Sequence, residues 1–300
     1  MTSSLQEKLS SGKFVMTAEV TPPLSSNPED LLAKALPLKG YADAVNVTDG
    51  ASARTHLDSL VAAIILKNNG IEPILQLTCR DRNRIALQSE LIGAAAMGVE
   101  NILVLTGDDP KKGDQPDAKP VFDLNSAQLI GTAAHIRDKG ELPHGRKVAG
   151  NPSWFIGVAD APIDPPEGWT PKSLAQKVEA GGQFAQTQFC MDAEVLRRYF
   201  QRLEDNGLGG KLKYLIGVCP PSSAKQARWI KENLFGVVIP DWVIDRMDKA
   251  ENGKAEGQKI CAEIILQLAE VPGVAGVHIM APLNEASIPG VVDLVRAAGK

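Results

Sequence analysis

Short apolar runs alternate with amphipathic stretches along almost the whole chain. Eight runs read as strands: residues 15–21, 44–49, 73–79, 101–106, 155–159, 184–189, 214–218 and 276–280. Most are continuously apolar rather than alternating, the pattern of strands buried on both faces. Helical periodicity fills the intervals, over residues 27–38, 54–68, 84–97, 123–136, 193–204, 223–234, 241–249 and 256–269. A further helix starts at Thr170-Pro171, with a capping residue and a proline in its first turn, and another follows Asn284-Glu285. Residues 1–13 form a short helix or an irregular lead-in. Two polar loops, 109–122 and 137–152, break the rhythm; the first reads as a functional lid or a mobile insertion.

Strands and helices alternate strictly, with no run of hairpins, and several strand starts lie roughly thirty residues apart, the size of one β-α unit. That order builds a parallel sheet. Eight such units in 300 residues predict an α/β fold, a single-domain (β/α)8 TIM barrel over residues 1–300. The alternative is a doubly wound open sheet. Against it, no G-x-G-x-x-G follows the first strand and no G-x-x-x-x-G-K-[ST] occurs.

Composition narrows the function. The formal net charge is −4, without a block of Lys and Arg, which predicts no nucleic-acid partner. No apolar run has the length of a membrane span and the N-terminus carries no signal-peptide core, so a soluble cytoplasmic protein with no membrane partner is expected. Cys79, Cys190, Cys219 and Cys261 are scattered without a C-x-x-C pair, which predicts neither a metal site nor a disulfide framework.

In a barrel the chemistry lies at the carboxyl ends of the strands. Those ends read Glu19, Thr48-Asp49, Gln76 to Arg80, Gly107-Asp108, Ala159-Asp160, Gln186 with Gln188, Cys219 and Met280. Glu19 stands out because Pro22-Pro23 stop its strand just beyond it. Few cations and many hydrogen-bonding groups suit a heterocycle better than a phosphate substrate. Plain structural roles compete at each position. Glu19 could pair with Arg80 or Arg82, Asp108 could bond its own turn, and Gln188 could satisfy a neighbouring strand end. Lys177 reads as a solvated surface lysine and His278 as a satisfied core histidine.

The motifs Ala18-Glu19-Val20-Thr21-Pro22-Pro23, Val45-Asn46-Val47-Thr48-Asp49-Gly50, Gln76-Leu77-Thr78-Cys79, Leu105-Thr106-Gly107-Asp108 and Ala185-Gln186-Thr187-Gln188-Phe189 occur in that order. With Gly236-Val237-Val238-Ile239-Pro240 and Gly273 to His278, the set resembles the methylenetetrahydrofolate reductase family over nearly the whole chain. The resemblance implies a flavin barrel that reduces 5,10-methylenetetrahydrofolate to 5-methyltetrahydrofolate with reduced FAD. It assigns Glu19 as the general acid, with a pKa raised by burial, and Asp108 to a place between flavin and folate. Gln188, Asp108 and Gln76 would touch the substrate. Thr48, Gln76, Gly107, Asp108, Val121, Phe122, Asp123, Ala159 and Lys177 would touch FAD, Lys177 at the pyrophosphate. Homo-oligomers are implied as well. The flavin's reductant is NADH, NADPH or a second, electron-donating subunit.

The chain departs from the family pattern at Val20-Thr21, where aromatics are common, at Thr106 for Arg, at Gln76 for His, and at Asp160 to Asp164, which lacks Tyr-Pro-Glu-x-His. These departures touch the FAD grip more than the folate chemistry. Two rivals stand beside the reductase: a flavin-free pterin-binding or methyl-transferring barrel, and a subunit of a larger reductase complex.

Overall fold

Leu5 and Leu9 give α1 (Ser4–Ser10) one apolar edge, and that edge lies across the amino ends of the strands that follow. In the computed structural model, which describes residues 2–299, the chain continues through β1 (Val15–Val20), α2 (Pro28–Ala35), β2 (Ala44–Val47), α3 (Ser59–Asn68), β3 (Pro73–Thr78), α4 (Arg84–Ala96) and β4 (Asn101–Leu105). It goes on through α5 (Ser126–Lys139), β5 (Phe155–Asp160), α6 (Lys172–Glu179), β6 (Phe184–Phe189), α7 (Ala193–Asp205) and β7 (Lys213–Val218). Three helices, α8 (Ala224–Asn233), α9 (Asp241–Asp248) and α10 (Gly253–Ala269), then precede β8 (Val274–Ile279) and α11 (Ile288–Ala297). The eight strands pair in parallel, each with the next, and β8 pairs with β1 to close the barrel. The (β/α)8 expectation therefore holds and the open sheet is excluded. Among the described residues no helix is long and apolar enough to cross a membrane.

Several boundaries differ from the sequence pattern, and two helix starts show the cause. Helix α3 begins at Ser59, not near Arg54, because Asp58 caps it by accepting from Val61 N at 2.9 Å. Residues 51–53 form a separate tight turn instead. Helix α5 begins at Ser126, not Asp123, because Asn125 and Gln128 close a capping box there. Polar side chains that compete for backbone hydrogens set both starts.

Period-two alternation sends every second strand residue into the barrel. The floor is apolar: Leu5, Leu9, Val15, Ala44, Ile74, Leu103, Phe155, Phe184 and Leu215 pack together. Phe155 and Phe184 stack with ring centroids 4.6 Å apart. Gly157 makes room for them, since a Cβ there would lie 2.4 Å from Phe184 Cζ. A larger apolar layer fills the space between the outer strand faces and the helices. Ion pairs tie the carboxyl rim on one side. Asp49 Oδ2 accepts from Thr78 N at 2.7 Å and from Thr78 Oγ1 at 2.9 Å. Arg82 bridges Asp49 to Glu90 on α4. Burial pushes the Glu90 carboxyl up from 4.5 to about 7, outweighing the pull of Arg82.

Two expectations follow. Gly157→Ala should destabilise the barrel by about 1–3 kcal/mol through overpacking, read as a lower unfolding midpoint in urea, and Phe184→Leu in the same chain should recover part of it. For Glu90 the folded state binds its proton more tightly than the unfolded chain, so its contribution to stability is complete below pH 4.5 and is lost as pH rises through about 7. Thermal scans from pH 5 to 8 should show wild type losing stability relative to Glu90→Gln as the pH rises; parallel curves would remove Glu90 from the account.

Candidate active site

Above the apolar floor the barrel interior turns polar, and every group there has a partner. Asn46 Nδ2 donates to Gln186 Oε1 at 2.6 Å, and Gln186 Nε2 returns a bond to Asn46 Oδ1 at 3.0 Å. Gln186 Nε2 also lies 3.1 Å from Thr17 Oγ1 and 3.3 Å from His278 Nδ1. Thr17 Oγ1 is 3.0 Å from the same Nδ1. Thr17 Oγ1 also lies 3.3 Å from Val277 O, so the hydroxyl can donate there or to the ring, and Nδ1 accepts or donates according to the tautomer. Thr17, Asn46, Gln186 and His278 are each 3% exposed or less. Satisfied in this way, the layer avoids the cost of burying polar groups without partners.

Glu19 sits on top of that layer. It shares the inward parity of Val15 and Thr17 on β1, at the carboxyl end. Its Oε2 accepts from Gln76 Nε2 at 2.9 Å and faces His278 Nε2 at 3.6 Å. The pairing with Arg80 or Arg82 that its sequence context allows does not form: Arg82 joins Asp49 and Glu90, and Arg80 joins Asp81. His278, which the apolar run around it marks as a core histidine, is buried and satisfied, but it also backs Glu19. Sequence reasoning missed this role for Thr17, Asn46, Gln186 and His278. Parity carries the signal, because Thr17 and Gln186 stand two residues before Glu19 and Gln188.

The other strand ends divide into free and engaged groups. Thr48 is 5% exposed at the end of β2, and its buried hydroxyl has no hydrogen-bond partner. Asp108 lies exposed just past β4, where its carbonyl is 3.5 Å from Arg80 Nη1. Val121 and Phe122 are 45% and 41% exposed, and Phe122 is held at φ 42°. Gln188 Oε1 accepts from Phe189 N at 3.0 Å, where the register of β6 against β7 shifts.

Asp123 is turned to the outside and holds Arg84, accepting at 2.7 and 2.8 Å, which keeps its carboxyl well below the usual range. Lys177 is not a solvated lysine. Its ammonium is inserted against the end of β5, donates to Ala159 O at 2.6 Å, and has its pKa lowered by burial. Asp160 points outward and accepts from Tyr199 and Tyr214 at 2.7 and 3.1 Å. Burial pushes the Cys219 thiol up to about 12.

The segment Gly236–Pro240 returns to this rim: Met191 N donates to Val238 O, and Val238 N to Phe189 O, both at 2.8 Å.

Comparison with known proteins agrees with this geometry. The sequence profile of the family described as Methylenetetrahydrofolate reductase matches residues 4–295. A 5,10-methylenetetrahydrofolate reductase of Pectobacterium carotovorum subsp. carotovorum is 25% identical over 89% of this chain and 84% of its own. The Salmonella typhimurium enzyme of the same name is 26% identical over the same shares. Among solved structures, a Clostridium thermocellum protein described as binding two copies of 5-methyl-5,6,7,8-tetrahydrofolic acid superposes with a TM-score of 0.65. It covers 98% of both chains at 15% identity, a likeness of fold alone. A profile match running from α1 into α11, over a barrel whose polar ends converge on one rim, makes this chain a member of the methylenetetrahydrofolate reductase family and an oxidoreductase.

Proposed function

We propose that the chain reduces 5,10-methylenetetrahydrofolate to 5-methyltetrahydrofolate by hydride transfer from reduced FAD, with Glu19 as the general acid. The observation that carries this reading is the asymmetric surround of Glu19. Gln76 Nε2 donates to Oε2 at 2.9 Å, and His278 Nε2, protonated in the tautomer this reading requires, faces the same oxygen at 3.6 Å. Oε1 is left to hold a transferable proton. Opening the bridging ring requires a proton on the departing nitrogen, and an acid positioned at the rim can deliver it. The negative charge that then develops on Glu19 is met by donors already in place, which lowers its cost without reorganisation.

The residues present fit FAD. The unpartnered Thr48 hydroxyl is a buried polar atom lacking only a ligand, and the exposed Val121 and Phe122 offer an apolar wall. Thr48, Asp108 and the backbone at Gly107, Val121, Phe122 and Ala159 would hold the cofactor, with Lys177 steadying the β5 end from behind. When bound, FAD supplies the hydride. Gln188, whose amide nitrogen is not engaged, is placed to bond the pterin edge. A nicotinamide is the proposed reductant. Relatives from Caenorhabditis elegans and Oryza sativa subsp. japonica are named as probable NADPH and NADH enzymes. The Clostridium thermocellum structure favours a second reading, a flavin-free barrel that holds reduced folates.

The absorption spectrum of the purified protein separates the two: flavin bands support the reductase, and a colourless chain that binds 5-methyltetrahydrofolate supports the alternative. In anaerobic stopped-flow, 5,10-methylenetetrahydrofolate should reoxidise the reduced flavin. Glu19→Gln should slow that step by about 10²–10⁴-fold while FAD remains bound; reoxidation at the wild-type rate would remove Glu19 from the acid role.

A further inference from the structure

We infer that Arg80 is a positioning residue that locks together the loops carrying the proposed FAD contacts, an inference that rests on the flavin reading. Arg80 follows β3 and is 4% exposed. Its Nη1 donates to Gly50 O at 3.2 Å, in the loop just after Thr48, and lies 3.5 Å from Asp108 O in the loop after β4. Its own carbonyl accepts from Val121 N at 2.7 Å, which closes the far end of the long β4–α5 loop. One residue thus meets two loops, the second of them near both ends. The Asp108 contact is the weakest of the three by distance.

The fork is fixed from outside. Asp81 accepts from Nε and from Nη2 at 2.7 Å each, a bidentate pair that sets the plane of the guanidinium. That hydrogen-bonded pairing, with Asp49 and Asp108 nearby, keeps the group charged despite burial.

The flanking glycines give the guanidinium its space. Gly50 has φ +58°, and a Cβ there would stand 2.3 Å from Arg80 Nη2. Gly107 has φ +95°, and its Cβ would stand 2.9 Å from Arg80 Cβ. Two left-handed, side-chain-free positions therefore bracket the arginine, and both adjoin proposed FAD residues. Lysine cannot replace it, because a single ammonium cannot hold the carboxylate fork and reach two carbonyls at once.

The test uses the unliganded full chain, with wild type, Arg80→Lys, Gly50→Ala and the double variant. Hydrogen–deuterium exchange should speed up in residues 49–57 and 107–113 of Arg80→Lys and stay unchanged in α10 and α11. In FAD titrations followed by flavin fluorescence, the same variant should bind about tenfold or more weakly, the scale of lost supporting contacts. Gly50→Ala, which displaces the guanidinium, should reproduce both effects, and the double variant should be no worse than Arg80→Lys alone. Unchanged exchange, loosening spread over the whole barrel, or additive single effects would overturn the clamp. Faster loop exchange with wild-type FAD affinity would overturn its role in positioning the cofactor. Absence of saturable FAD binding by wild type would instead overturn the flavin reading, and the exchange data would still decide whether the clamp exists.

Discussion

A closed eight-stranded barrel has an interior that only side chains can fill, and that constraint governs everything above the floor. Alternation fixes which residues enter it, so the choice at each inward position is between filling space and doing chemistry. The chain resolves that choice by height. Phe155, Phe184 and their neighbours fill the bottom, with Gly157 hollowed out to let the rings stack. Thr17, Asn46, Gln186 and His278 fill the middle with polar groups whose bonds close on one another. Only then does a carboxylate appear. Glu19 is presented to the rim because nothing beneath it can give way.

The rim itself is asymmetric. On the β1 side, Gln76 donates to Glu19 and His278 lies behind it. Towards β2, β3 and β4, the loops are bound by guanidinium groups: Arg82 between Asp49 and Glu90, and Arg80 between Asp81 and two backbone carbonyls. The Arg82 pairs are largely buried, so their value lies less in net stability than in fixing loop geometry, since Coulombic gain and desolvation largely offset each other. Glu90 shows the offset directly, with desolvation outweighing its arginine. The alternating Arg80 and Arg82 after β3 thus serve the loops and not the acid.

Much of this was legible in the chain. Eight apolar runs at regular spacing gave the barrel, and the prolines after Thr21 marked Glu19 as a strand end. The misses in the site share one cause: contacts between residues distant in sequence. Nothing local says that Asp123 faces Arg84 or that Lys177 reaches back to the Ala159 carbonyl. Helix starts at Ser59 and Ser126 depended on which nearby polar side chain won the backbone hydrogens. His278 was read from its apolar neighbours, whereas its role comes from Thr17 and Gln186, far away in the chain.

The expected pairing of Glu19 with an arginine fails for a reason that is chemical as well as geometric. A guanidinium binds a carboxylate most strongly when the carboxylate is charged, so such a pair would strip the acid of its proton before it could be delivered. An amide N–H stabilises charge as it develops without demanding it beforehand. Gln76 in particular offers one N–H to Oε2 and brings no charge of its own. Both arginines that its strand-end context offered as partners are held by other acids, Arg80 by Asp81 and Arg82 by Asp49 and Glu90. The carboxylates that engage them therefore do two things at once. They staple the loops after β2 and β3, and they leave neither arginine free for Glu19.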